Sequence, residues 1–149
     1  MASSTRFALA VHILSYLAIR GQSGPLTSER IALSVNTNPA LIRKLLSSLA
    51  DAGLTRSQMG SGGGAQLAKE PQDITLLDVY KAVEAVRVFH LHRTAPSPAC
   101  LVGRNISQAL GEVSDLADRA VEVVLGGTTL ADVDASIMRS EKKRERVRA

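Results

Sequence analysis

The chain has 149 residues with one cysteine, two Phe, two Tyr and no Trp, and its 18 Lys and Arg outnumber its 14 Asp and Glu for a net charge of +4. That length suits one domain of common size, or a small domain plus an oligomerisation arm, which the pattern below favours; a single cysteine excludes an internal disulfide framework and a four-cysteine zinc site within one chain. Scarce aromatics argue against a stacking platform for single strands, and the lack of both a long apolar run and a secretory signal implies a cytoplasmic protein with no membrane association.

Divided along the sequence, the charge is +2 over residues 1–85, −2 over 86–138 and +4 over 139–149. The global excess is therefore weak evidence for nucleic acid, and local placement matters more. Ser3 to Ile19 shows Phe7, Val11, Leu14 and Leu17 or Ala18 at helical spacing, which predicts a first helix packing on the motif that follows. Gly21 to Pro25 breaks it, and Leu26 suits a short strand residue.

Thr27 to Leu49 predicts two short helices joined by a tight turn. Thr27 caps the first, whose Ile31, Ala32 and Val35 face inward, and Asn36 in the turn tolerates a left-handed backbone. Asn38 then caps a second helix with Pro39 at its first position. Leu41, Ile42, Leu45, Leu46 and Leu49 fall on one side of that helix, and Ala40, Arg43, Lys44 and Ser47 on the other. A slim, basic face of this kind suits entry into a major groove, although an ordinary solvated surface helix shows the same pattern. Arg20, Arg30, Arg43, Lys44 and Arg56 outnumber Glu29 and Asp51 around it, as phosphate contact requires.

Ala52 and Gly53 end the second helix, with Gly53 in the left-handed position. Leu54 to Met59 reads as a strand, Gly60 to Gly64 as a flexible tip and Ala65 to Lys69 as a returning strand. Gly60, Gly62 and Ala65 match the spacing of a dinucleotide-binding loop, but Pro71 arrives too soon for a helix to open there. A bare hairpin tip instead suits a wing that approaches a DNA phosphate closely. The candidate DNA contacts are thus Thr27, Ser28, Asn38, Ala40, Arg43, Lys44 and Ser47 from the motif, with Arg56, Ser61, Gly62 and Gly63 from the wing.

Thr75 and Asp78 form a capping-box pattern opening a helix with Ile74, Leu77, Val79, Tyr80 and Val83 as its apolar residues. Pro96 and Pro98 mark a loop from Arg87 to Cys100, and a long helix follows to about Leu125, before Gly126 and Gly127. Ile106, Leu110, Val113, Ala117, Ala120 and Val124 repeat at spacings of 4, 3, 4, 3 and 4. That 3.5-residue period predicts a coiled-coil-like seam between two copies, with an intramolecular core helix as the alternative. Thr129 and Asp132 cap a last helix carrying Leu130, Val133 and Ile137, and the charged tail is expected to fray. The expected divisions are a DNA-binding domain at 1–85, a loop and sensor segment at 86–101, dimerisation helices at 102–138 and a tail at 139–149.

His90, His92 and Cys100 are the one chemically distinctive cluster. They admit three readings: a soft or borderline metal site, a thiol sensor whose pKa is lowered by the helix start and Arg104, or a packed inert cysteine beside two polar histidines. No oriented nucleophile and base, paired carboxylates or cofactor loop can be assembled, so an enzyme is not expected.

In this order the elements resemble the Rrf-two (Rrf2) family of bacterial winged-helix regulators. The resemblance spans nearly the whole chain and is carried by RFALAVHILSYLA, SERIALSVNTNPALIRKLLSSLADAGL, GSGGGAQLAK, DITLLDVYKAVE, CLVG and TTLADV. It implies a mainly α fold with a small β-hairpin wing, and a homodimer that reads a partly palindromic operator on double-stranded DNA as a transcriptional regulator, here expected to be a repressor. Arg43 and Lys44 match the family's basic groups on the second motif helix. Cluster-binding members bring three cysteines into the loop before the long helix, whereas this loop has Cys100 alone; an iron–sulfur cofactor is therefore not expected. Ala65 and Gln66 stand where many members have an aromatic wing residue. A redox or small molecule is the expected class of signal, and a winged helix that binds protein without DNA is the alternative function.

Overall fold

A computed structural model describes residues 3–84, 87, 89 and 91–148. Helix α1 (Ser3–Arg20) leads through a 3-10 turn at Gly21–Ser23 into α2 (Ser28–Val35) and α3 (Pro39–Asp51). Strands β1 (Thr55–Gln58) and β2 (Gly64–Leu67) follow, then α4 (Leu76–Val83), α5 (Leu101–Gly126) and α6 (Leu130–Arg148). The fold is mainly α with one antiparallel hairpin, as the sequence pattern predicts.

The helix boundaries follow from their caps. Thr27 Oγ1 accepts from the Arg30 backbone N–H at 3.3 Å, and Asn38 Oδ1 accepts from that of Leu41 at 2.9 Å. Asn36 takes up the left-handed conformation (φ 57°) between them, and Gly53 does so after α3 (φ 71°). At α4 the Thr75 hydroxyl accepts from Asp78 N–H while the Asp78 carboxylate accepts from Thr75 N–H. Each satisfies backbone donors that a helix start leaves open.

The core lies where α1, α2, α3 and α4 meet the root of the hairpin. Ile31, Ile42, Leu45, Leu49, Leu54, Ile74 and Val79 are fully buried there. Truncating Ile42 or Leu45 to alanine would leave a cavity costing about 2–5 kcal/mol. Leu26 joins β2 through two backbone bonds with Ala65, of 3.0 and 2.8 Å, which fixes the hairpin to the motif. The strands pair from Thr55 opposite Leu67 to Gln58 opposite Gly64, a shorter ladder than the expected 54–59 and 65–69. Gly64 belongs to the strand and not to the tip.

Three further features complete the fold. In α1 the buried apolar residues are Ala10, Ile13, Leu14 and Leu17, while Phe7, Val11 and Ala18 are partly buried against the same core. The period is helical as read, but packing by α2, α3, α4 and α6 sets its phase. Phe7 lies at the margin with its ring edge-on to Tyr80 at 5.8 Å. Second, α6 does not fray after residue 138 but runs to Arg148. No glycine or proline interrupts residues 130–148, and Lys, Arg and Glu are good helix formers. Third, the start of α6 joins the core: Leu130 is fully buried, its N–H donates to the Ile74 carbonyl at 2.8 Å, and α6 packs against α1. There burial raises the Asp134 carboxyl above its ordinary pKa, with the neighbouring Ser15 hydroxyl pulling the other way.

Candidate nucleic-acid interface

The start of α2, the open face of α3 and the hairpin meet at one surface. A cleft of about 400 Å³ between them is lined by Ser28, Arg43, Ser47, Ser57, Gln58 and Gly64, among others. Ala40, Arg43, Lys44 and Ser47 are all exposed, because the caps and the buried Ile42, Leu45 and Leu49 fix the rotation of α3. Arg56 and Ser61 are exposed on the hairpin. Ser57 and Gln58, absent from the sequence-derived set, also face the cleft; a polar strand beside a motif helix is the signal that points to them.

Four candidate residues hold structural partners, of which the link between Arg43 and Ser28 is the one that spacing could not reveal. Thr27 and Asn38 spend their side-chain oxygens as caps. Arg43 crosses to α2: its Nε donates to Ser28 Oγ at 3.1 Å and its guanidinium pairs with the Glu29 carboxylate. The Glu29 backbone N–H and then Arg43 hold that carboxyl below its ordinary pKa. Both side chains are more than half exposed, so solvent screens the pair and little is lost when Arg43 leaves it for a stronger anion. Lys44, one position along, enters no ion pair among the described residues.

At the hairpin tip Gly63 N–H donates to the Gly60 carbonyl at 3.0 Å, with Gly60 and Gly62 at φ 94° and 77°. A Cβ on Gly63 would stand 2.2 Å from the Gln58 carbonyl oxygen, so the turn closes tightly only on glycine. The loop returns as β2 and opens no helix, which leaves no pyrophosphate seat.

The expected sensor cluster is only partly within the described residues. His90 lies outside the described residues, and His92 and Cys100 are exposed. Among the described residues no three His, Cys, Asp or Glu side chains gather around a metal position. Cys100 is the N-cap of α5, and the backbone N–H groups of Gly103 and then Val102 lower its thiol pKa; Arg104 does not contribute.

On α5 the face turned from the rest of the chain is apolar. Val113, Val124, Leu116 and Val123 are 61–75% exposed. The predicted seam is not uniform, since Ile106 and Ala117 are half-buried while Leu116 and Val123 lie outside it. Among the described residues no helix is long and apolar enough to cross a membrane.

Comparison with known proteins places this geometry. The family profile Rrf2, described as an iron-dependent transcriptional regulator, matches residues 3–136. YwnA of Bacillus subtilis, provisionally named an HTH-type transcriptional regulator, is 41% identical over 131 residues, covering 87% of this chain and 95% of YwnA. The solved structure of CymR, the global cysteine regulator of B. subtilis, is similar with a TM-score of 0.66 at 28% identity, over 91% of this chain and 98% of CymR. A structure from Lactobacillus plantarum, titled as a transcriptional regulator on a provisional basis, superposes with a TM-score of 0.76 at 28% identity, over 97% and 98% of the two chains. Iron held as a cluster does not fit this chain, because a cluster takes several thiolates and Cys100 is the one thiol in the sequence.

Proposed function

Because this chain belongs to the Rrf2 family of transcriptional regulators, we propose that it is a sequence-specific repressor that reads a partly palindromic operator as a homodimer. One observation carries the reading: Arg43 and Ser47 on the exposed face of α3 and the strand residues Ser57, Gln58 and Gly64 of the hairpin border one cleft with Ser28 at the start of α2. Lys44 and Arg43 would meet phosphates or base edges, with Ala40 leaving room for the groove and Ser47, Ser28, Arg56 and the Ser61 to Gly63 backbone positioning the chain on the duplex. Thr27 and Asn38 would present their capped helix starts to phosphates, whose charge the helix dipole favours.

The expected signal acts on the loop and the start of α5. Cys100 is accessible and its thiolate is favoured by two backbone donors, which is the condition for selective oxidation. The DNA reading is tested by Arg43→Ala combined with Lys44→Ala. Thermal unfolding should stay near that of the parent, since both side chains are exposed, while operator affinity falls by at least about tenfold at two lost contacts. A double variant that binds operator like the parent sinks this face as the reader. Salt-insensitive retention of the parent on DNA would favour the protein-binding alternative.

A further inference from the structure

Behind the apolar face of α5 a second opening lies under the loop. Phe89, Leu91 and His92 from the loop and Leu110, Val113 and Ser114 from α5 enclose a cleft of about 480 Å³. Small-molecule pockets commonly span roughly 300–1,000 Å³, with mainly apolar walls and a few polar groups. Among the described residues its lining has that composition, with Phe89, Leu91, Leu110 and Val113 apolar and His92 and Ser114 polar. Ser114 is only 3% exposed, and its hydroxyl has no hydrogen-bond partner among the described residues. Buried hydroxyls are ordinarily paired, so one left open in the wall of a cleft calls for an acceptor from outside the chain. Phe89 stays 56% exposed beside it, a large ring without enough chain around it. Arg87 and Asp115, 3.4 Å apart, tie the start of the loop to the α5 turn that carries Ser114.

We propose that this cleft is the effector site, and that its ligand is a small, apolar, ring-bearing molecule with one hydrogen-bond acceptor. The ring lies against Phe89, Leu91, Leu110 and Val113, and the acceptor takes the Ser114 proton. The serine hydroxyl moves among staggered rotamers without moving the helix, so a ligand group beside it can draw it outward. His92 closes the rim. The inference rests on the regulator reading, because it supplies the signal for that DNA-binding protein. Leu110 and Val113 also belong to the α5 face assigned to subunit pairing, so a molecule held there presses on the element that spaces the two readers.

The probe is 8-anilinonaphthalene-1-sulfonate, which has two apolar ring systems and an acceptor group, titrated by fluorescence into the full chain. One saturable site per chain is expected, and it should shift operator affinity measured in parallel. Leu91→Trp, which fills the cleft from the loop side, should weaken probe binding at least about tenfold, and Ser114→Ala about fivefold, as loss of one buried hydrogen bond implies. Circular dichroism checks that both variants are folded. Absence of saturable binding, or equal binding by folded Leu91→Trp, overturns the proposal. So does a dimer in solution that leaves the probe free, since a second copy then fills the cleft. A parent that binds the probe but not DNA removes the regulator reading and leaves the binding site standing.

Discussion

At the scale of single residues, backbone geometry decides more than side-chain type. Gly64 sits where β2 meets Leu26, and a Cβ there would stand 2.5 Å from the Leu26 carbonyl oxygen, an atom held by the Ala65 bond. Gly64→Ala must therefore push the hairpin from the motif, at about 1–3 kcal/mol by the usual cost of overpacking. A lowered denaturation midpoint should accompany it, whereas Gly62→Ala at the open tip meets only its own φ penalty. Cys100 gives a second prediction. Backbone donors that lower its pKa enlarge the thiolate fraction at a given pH, so iodoacetamide should modify it with a half-maximal pH below that of the unfolded chain. Coincident profiles for folded and unfolded protein would show that the helix start has no hold on the sulfur. Caps and turns at Thr27, Asn36, Asn38, Gly53 and Thr75 were legible in the sequence because they are local. The Arg43 link to Ser28 and Glu29 was not, since it joins side chains 15 and 14 positions apart that meet only after two helices have packed.

Among elements, α5 is the one whose environment the single chain does not complete. Its 26 residues keep a 3.5-residue apolar repeat, yet Ser114 is its sole fully buried residue. An apolar stripe of that length left in water marks an interaction surface. Pairing two copies would bury Leu110, Val113 and Val124, and the small Ala117 and Ala120 would let the helices approach closely. Leu110→Glu with Val113→Glu should convert a dimer to a monomer by light scattering, because burying carboxylates against one another is strongly unfavourable. A parent that is already monomeric at micromolar concentration removes the seam. The period was readable from sequence, but the breadth of the exposed face was not: it depends on which side of α5 the rest of the chain covers, and Ile106 and Ala117 are half-buried while Leu116 and Val123 are exposed. The same limit accounts for α1, where the repeat was visible and its phase was set by four neighbours. For α6 the charged composition suggested fraying, while its uninterrupted run of helix formers and its docking on α1 favour order.

On the proposed reading the whole molecule joins a DNA-reading surface at α3 to a pairing helix at α5, and their separation would set what DNA it can bind. At 1.5 Å per residue α5 is roughly 39 Å long, similar to the roughly 34 Å of one DNA turn. Two chains paired along it would then offer their α3 helices to successive major grooves on one face of a duplex. Linking two readers in this way typically raises affinity by about 10²–10⁴ over one reader, provided that both engage together. Inserting about five base pairs between operator half-sites turns one of them to the opposite face. A dimer with its readers fixed by α5 cannot follow, so affinity should drop to that of an isolated half-site. Mobility-shift titrations of the native, spaced and single half-site duplexes at one salt concentration measure this directly. If the spaced operator binds as tightly as the native one, the two readers act independently, and neither a sulfur at the start of α5 nor a ligand beneath the loop could control them through that helix.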